Sequence, residues 1–125
     1  MSDEVRRSFD ATPEAVADAR AFLQSALAAR VDPDSQSELV LVLSELASNA
    51  VRHAGTPFEV VVETNGHVRI EVEDLSTELP VLSAPSDSGG RGMNIVDHVC
   101  DRWGVHVGPD KKCVWCERDL PQARS

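Results

Sequence analysis

The 125 residues suffice for one domain with its own core and are too few for two. Acidic residues outnumber basic ones by 21 to 12, and the net charge of −9 argues against a nucleic-acid backbone as the main ligand. No apolar run reaches membrane-spanning length, and the N-terminus MSDEVRRSFD lacks the apolar core of a signal peptide. We therefore expect a cytoplasmic protein without a membrane segment, formed by a single domain over residues 1–125 with a polar tail from about residue 119.

The first half of the chain predicts one strand and two helices. Residues 5–10 (VRRSFD) have the character of a short strand. Thr12 and Pro13 supply an N-cap and a first-turn proline, and apolar residues then recur at helical spacing. An Asp-Pro-Asp break opens a second helix, predicted over about 35–54, which Gly55 would end.

A hairpin and a long loop follow. The β-rich runs 58–64 (FEVVVET) and 67–74 (HVRIEVED) are joined by Asn-Gly, the strongest short-range hairpin signal. Asp74 ends the second strand on its apolar, inward face. Residues 75–90 are rich in Ser, Pro, Gly and Asp and predict one long loop.

The last third predicts a helix and two strands. The helix is expected over 92–103, with Trp103 among the candidates for its buried stripe, and the strands over about 104–107 and 112–118. Helices and strands thus fall in separate runs, in the order β-α-α-β-β-α-β-β. This order indicates an α+β class: a two-layer sandwich whose mostly antiparallel, mixed sheet has helices on one face.

Three cysteines occur near the C-terminus, and two of them have C-x-x-C spacing (CVWC, 113–116). An odd count in a non-secreted chain does not indicate a disulfide framework. The surrounding segment alternates like a strand, and residues three apart on a strand lie on opposite faces. We therefore expect Cys113 and Cys116 to be packing residues that do not share one metal.

Three polar patterns are candidates for chemistry. Glu45 and Asn49 stack at i, i+4 on the polar face of the second helix, a pattern that by itself favours an ordinary solvated helix face. Asp74 ends an apolar strand face, where it could cap the loop or bind a ligand. The run SGGRGMNIV brings bare backbone amides to a helix N-terminus, which suits phosphate, although glycine can also serve only the loop there.

Together these patterns resemble the GHKL ATP-binding superfamily. A helical E-x-x-x-N, a strand-end Asp before a long loop, and a G-x-G opening a helix occur in that superfamily's order. The runs SELASNAVRHA and GGRGMNIVDHVCDRWGV further resemble the anti-sigma-factor serine kinases of the RsbW and SpoIIAB type, especially the small actinobacterial members. The resemblance covers about residues 6–117.

This resemblance implies a GHKL sandwich with ATP between the helices and the sheet, and it implies a role for each pattern. Asn49 would coordinate the Mg²⁺ that bridges the phosphates, and Glu45 would be the general base toward a serine hydroxyl. Asp74 would accept a hydrogen bond from the adenine amino group. The phosphate-binding amides would come from the glycine-rich segment, at Gly90, Arg91 and Gly92.

The sequence departs from the family pattern around the expected adenine site. The family motif D-x-G-x-G reads DLSTE here, residues 74–78, without either glycine. Cys113 stands where the family often has a threonine near adenine, and a thiol is a poor substitute for that hydroxyl. Lys111 and Lys112 are expected to form a solvated turn.

The function implied is that of an ATP-dependent serine/threonine kinase that is also an anti-sigma factor. Its partners would be a sigma factor and an anti-anti-sigma antagonist of the STAS type, with no direct contact to nucleic acid. The missing glycines favour an alternative, a catalytically weak or inactive module that regulates by binding a partner protein. Whether the chain forms a homodimer, as family members commonly do, is left open.

Overall fold

The computed structural model describes residues 3–76 and 91–121, and for 91–93 the backbone alone. The described residues form five strands, three α-helices and one π-helical turn, in the order expected from the sequence. The strands are β1 (Asp3–Phe9), β2 (Phe58–Thr64), β3 (His67–Asp74), β4 (Arg102–Val107) and β5 (Lys112–Asp119). The helices are α1 (Pro13–Leu27), α2 (Pro33–Asn49), which continues into the π-helical turn Ala50–Ala54, and α3 (Arg91–Val99).

Both long helices begin at side-chain caps. The Thr12 hydroxyl accepts a hydrogen bond from the Ala15 N–H at 3.2 Å, and an Asp32 carboxylate oxygen accepts one from the Ser35 N–H at 3.0 Å. In each helix a proline follows the cap at the first helical position, where its missing N–H costs nothing. The predicted start of α1 is confirmed, and α2 begins two residues earlier than expected.

The end of α2 is wider than an ordinary helix. A single α-helix was expected to about residue 54, but from Ala50 the chain forms the π-helical turn. Gly55 ends it in the left-handed conformation (φ 65°), and its N–H donates to the Ala50 carbonyl at 3.1 Å. Glu45 and Asn49 thus occupy the last regular turns of α2, directly before this widened segment. Such π-helical turns occur frequently at functional sites.

The sheet has the strand order β1-β2-β3-β5-β4, and every pairing among these strands is antiparallel. The Asn-Gly hairpin between β2 and β3 is confirmed with the predicted strand bounds, and Gly66 has the positive φ (74°) that the tight turn needs. The expected α+β class is therefore confirmed, with a sheet that is antiparallel in all described pairs rather than mixed.

Helices cover one face of the sheet. Apolar residues of α1, α2 and α3 form one core with the inward residues of the strands, where β3 alternates strictly between buried and half-buried positions. The other face of the sheet, called the outer face below, carries cross-strand ion pairs instead. Examples are Arg69 with Glu117 at 2.8 Å and Arg6 with Glu59 at 3.0 Å. No helix in the described part of the chain is long and apolar enough to cross a membrane.

The end of α3 differs from the prediction. The helix ends at Val99, so Trp103 lies on β4 and not on the helix. The reason is pairing with β5: the Asp101 N–H donates to the Glu117 carbonyl at 2.9 Å, and the Asp101 carboxylate accepts from the Asp119 N–H at 2.7 Å. Because these hydrogen bonds place the chain in the sheet, the helix ends about one turn before the helical sequence pattern does.

Candidate functional site

Glu45 and Asn49 lie on the same face of α2, as their spacing predicts. Both are half-buried, while the opposite side of the helix, with Leu43 and Ala47, is buried in the core. The apolar stripe of α2 thus fixes the rotation of the helix and turns the two polar side chains outward together. Their spacing of four residues places them one helical turn apart.

A cavity of about 600 Å³ opens beside Glu45, between α1 and the end of α2. Its walls combine two guanidinium groups with a carboxylate, a hydroxyl and aliphatic surface, from Pro13, Val16, Arg20, Glu45, Ser48, Val51 and Arg52. Within the described residues the Glu45 carboxylate makes no hydrogen bond and no ion pair. The cavity therefore offers a carboxylate with its lone pairs unused.

Arg20 was not predicted as part of a site. It reaches this cavity from α1, whereas Glu45 comes from α2, so only the packing of the two helices brings them together. Nothing in the local sequence of α1 distinguishes Arg20 from an ordinary solvated residue. Arg52, one helical turn beyond Ser48, was not predicted as a site residue either.

The Asn49 amide fits the expected role of a magnesium ligand. Its Oδ1 accepts a hydrogen bond from Arg52 Nη2 at 3.1 Å, in an exposed position where water can take over the donor's role. A single neutral oxygen suits Mg²⁺, which commonly keeps several waters and takes its other ligands from phosphates. Asn49 could therefore hold the ion once its oxygen turns away from Arg52.

Asp74 is deeply buried at the end of β3. Its side chain is 3% exposed; one carboxylate oxygen accepts a hydrogen bond from the Ser76 N–H at 2.9 Å, and the other lies 3.6 Å from Lys112 Nζ. The next residue, Leu75, is hydrogen-bonded to the segment after the π-helical turn, since its N–H donates to the Thr56 hydroxyl at 3.1 Å. Strand β3 also contacts the π-helical turn. The structure thus places Asp74 next to the segment that follows Asn49.

Two sequence predictions at the start of β5 are wrong, because neither Lys112 nor Cys113 lies where it was expected. Lys112, expected in a solvated turn, is 6% exposed and pairs across the sheet with Asp74. Cys113, expected near the adenine site, lies on the outer face opposite Glu73, half-buried. There, burial and then the charges of Glu71 and Glu73 raise the pKa of the Cys113 thiol to about 12.

The predicted separation of the two C-x-x-C thiols is confirmed. Cys116 is fully buried on the helix-covered face of the sheet, whereas Cys113 lies on the outer face. Cys100, directly after α3, is also buried, and its interaction with the Cys116 side chain lowers the pKa of the Cys100 thiol. The two thiols of CVWC therefore cannot share one ligand.

The glycine-rich segment is described only in part. Gly90 lies outside the described residues, and for Arg91 and Gly92 the backbone is placed at the first positions of α3. Helix α3 packs against α2, the helix that carries Glu45 and Asn49. A helix therefore begins within the glycine segment, as expected, and it packs against the helix that carries two of the other candidate residues.

Similarity to known proteins defines the class of protein to which this chain belongs. The model of the histidine kinase-like ATPase domain family matches residues 9–117, nearly the whole chain. The chain belongs to this family, and the GHKL-type fold expected from the motifs is confirmed.

The chain is also similar to two individual proteins. The chain is 32% identical over 83 residues to the uncharacterized protein SCO4941 of Streptomyces coelicolor, a match that covers 60% of this chain and 79% of that protein. It also matches the crystal structure of the RsbU and RsbW domains of Rv1364c from Mycobacterium tuberculosis, with a TM-score of 0.72 and 21% identity. That match covers 97% of this chain and 33% of the other, so the chain spans about a third of its length.

Proposed function

We propose that this protein is an ATP-dependent serine/threonine kinase that acts as an anti-sigma regulatory factor. The observation that carries the proposal is the unpaired carboxylate of Glu45, set beside a cavity and one helical turn from Asn49. A general base needs free lone pairs within reach of the hydroxyl it serves, and a kinase needs room beside that base for a peptide segment. The family and the fold support the same reading.

In this proposal ATP is the phosphoryl donor, and each site residue positions or neutralises part of it. Asn49 holds the Mg²⁺, which neutralises charge on the phosphates when bound. Asp74 accepts a hydrogen bond from the adenine amino group. The amides at the start of α3 bind phosphate oxygens, helped by the positive end of the helix dipole, at Gly90, Arg91 and Gly92.

The proposed reaction is an in-line displacement at the γ-phosphorus. The acceptor serine oxygen bonds to phosphorus as the bond to the β–γ bridging oxygen breaks, and ADP leaves with that electron pair. Glu45 takes the hydroxyl proton. The guanidinium groups of Arg20 and Arg52, on the wall of the same cavity, favour the negative charge of the phosphoserine product.

The proposed partners are a sigma factor and an anti-anti-sigma antagonist of the STAS type, which carries the serine. The solved relative supports this choice because that protein combines an RsbW domain with an RsbU domain. With these partners and with ATP as the phosphoryl donor, the proposed location is the cytoplasm. Pairing into a homodimer is compatible with this arrangement and does not change the chemistry.

A second candidate function is a partner-binding module without turnover. Two observations favour it: the glycines expected after Asp74 are absent, and Arg52 already occupies the metal-binding oxygen of Asn49. Both features weaken nucleotide binding without removing Glu45. The two functions therefore differ in whether Mg²⁺·ATP binds and is consumed.

Calorimetric titration with Mg²⁺·ATP tests the proposal first, on the unmodified protein and on Asn49→Ala. We expect saturable binding that the substitution weakens by at least about tenfold, because the metal loses its protein ligand. Glu38→Gln, on the same helix three turns before Asn49, is the control and should bind as the unmodified protein does.

Turnover is measured next, by transfer of label from γ-labelled ATP to STAS-type proteins of the same genome. Glu45→Gln should bind ATP normally and lose transfer by about 100-fold or more. If the unmodified protein did not bind ATP at millimolar concentration, the proposed kinase function would be rejected. The second candidate function, the partner-binding module, would then remain. Normal binding with undiminished transfer in Glu45→Gln would reject Glu45 as the base.

A further inference from the structure

Lys112 and Asp74 form a buried pair of opposite charges that the sequence did not reveal. They lie directly opposite one another at the ends of neighbouring strands β5 and β3. The Lys112 side chain is 7% exposed and the Asp74 side chain 3%, and Lys112 Nζ lies 3.6 Å from Asp74 Oδ2. Burying an ammonium is costly unless polar partners replace the lost water, so this position is an unusual place for a lysine.

The pair is loose, and the ammonium lacks a hydrogen-bond partner. A distance of 3.6 Å exceeds the normal N–H···O range, and within the described residues Nζ makes no other polar contact. In that part of the chain, every side-chain nitrogen or oxygen fully sealed from solvent has a hydrogen-bond partner. Lys112 Nζ must therefore keep an opening, through which its three N–H groups can reach an acceptor.

Asp74 is complementary in its hydrogen bonding. Its Oδ1 is engaged by the Ser76 N–H at 2.9 Å, whereas Oδ2 accepts no hydrogen bond from the described residues. An acceptor and a donor therefore stand side by side, held by the strand register. A ligand edge that presents a donor next to an acceptor would satisfy both groups at once.

The Watson–Crick edge of adenine has this pattern, with the N6 amino group as donor and N1 as acceptor. We propose that Lys112 is a base-recognition residue, whose ammonium donates to adenine N1 while the adenine amino group donates to Asp74 Oδ2. The proposal rests on the proposed ATP-binding function and adds a residue to it. It also offers a compensation for the missing glycines, because a charged donor makes a stronger hydrogen bond than a neutral one.

The neighbouring residues do not share this role. Lys111 is exposed and binds the Glu73 carboxylate at 2.9 Å on the outer face, and Cys113 lies on that face as well. Only Lys112 of these three has its side chain on the Asp74 side of the sheet. Lys111→Met is therefore a matched control for Lys112→Met.

The test compares ATP with 1-deaza-ATP, in which a C–H replaces the N1 acceptor, by calorimetry with Mg²⁺ present. On the unmodified protein we expect 1-deaza-ATP to bind roughly 10- to 100-fold more weakly, the range for a hydrogen bond to a charged group. Lys112→Met should weaken ATP binding by a similar factor and show no further loss with 1-deaza-ATP. Lys111→Met should keep the full difference, and 7-deaza-ATP should bind like ATP throughout.

Three results would overturn the proposal. The first is equal binding of ATP and 1-deaza-ATP by the unmodified protein, which needs no variant to fold. The second is an undiminished difference between them in Lys112→Met. The third is tighter ATP binding by that variant, which would make Lys112 an obstruction in the base site. Absence of ATP binding to the unmodified protein would reject the proposed function as well, so the two failures are distinguishable.

Discussion

Gly104 on β4 faces the Trp115 ring on β5, and the ring leaves no room for a side chain there. A Cβ at residue 104 would lie 2.9 Å from Trp115 Cζ2 and 3.0 Å from Cε2 and Nε1, closer than packed carbon atoms come. The ring is held in place, since the Arg69 guanidinium lies 4.5 Å from its centroid. We therefore predict that Gly104→Ala lowers the free energy of unfolding by about 1–3 kcal/mol.

Urea unfolding followed by tryptophan fluorescence measures this change. Gly108→Ala is the matched control, because the nearest atom to its Cβ would be the Lys111 carbonyl oxygen at 3.5 Å, an ordinary contact. It should change stability by less than about 0.5 kcal/mol. Equal costs for the two substitutions would mean that the Trp115 contact does not determine the effect.

At the scale of secondary-structure elements, Glu117 links three strands of the sheet. From β5 its carboxylate accepts hydrogen bonds from Arg102 of β4 at 2.9 Å and from Arg69 of β3 at 2.8 Å. The Arg102 hydrogen bond, with Arg69 next, holds the pKa of Glu117 below its usual value of 4.5. A depressed pKa means that this stabilisation is complete above the unfolded-state pKa and is lost as the pH falls through the folded-state value.

We therefore predict that Glu117→Gln is less stable than the unmodified protein at pH 7 and at pH 5.5. Below about pH 4.5 the difference should shrink, because protonation removes the charge from the unmodified protein too. Urea unfolding at pH 7, 5.5 and 3.5 measures the difference. Glu63→Gln, on the same face and without an ion pair among the described residues, should give a small and constant difference. A difference for Glu117→Gln that is larger at pH 3.5 than at pH 5.5 would contradict the assignment.

Elements specified by local chemistry were predictable, and those specified by distant partners were not. The cap at Thr12 and the Asn-Gly hairpin depend on residues within one turn of each other, so their sequence signals are complete. The end of α3 depends on hydrogen bonds from Asp101 to β5, which the helical pattern of 92–103 does not encode. Trp103 was assigned to the helix for that reason.

The same distinction applies to the candidate site. Glu45 and Asn49 could be paired from the sequence because one helix carries both, four residues apart. Lys112 could not, because its burial follows from its register with Asp74, 38 residues earlier in the chain, while the two residues before it, Asp110 and Lys111, are polar and precede the strand. Arg20 is similar, since its place beside Glu45 depends on the packing of α1 on α2. The roles proposed for these residues stay predictions until ATP binding is measured.

At the scale of the whole molecule, one continuous core joins the two layers. It runs from Phe9 on β1 through the three helices to Cys116 on β5, and Trp103 packs on its edge. Fully buried Leu23 lies in α1, whereas both tryptophans lie on β4 and β5. Because the layers share this core, loss of packing in α1 should destabilise the far strands equally.

We predict that Leu23→Ala lowers the free energy of unfolding by about 2–5 kcal/mol through the cavity that it leaves. Circular dichroism at 222 nm, which reports the helices, and fluorescence of the tryptophans, which reports β4 and β5, should show one coincident transition at lower urea. Leu41→Ala, at a leucine that is 47% exposed on α2, should cost much less. A helical transition that precedes the tryptophan transition would show that the sheet holds together without α1. In that case the cavity beside Glu45, which needs both α1 and α2, could open independently of the Asp74–Lys112 pair.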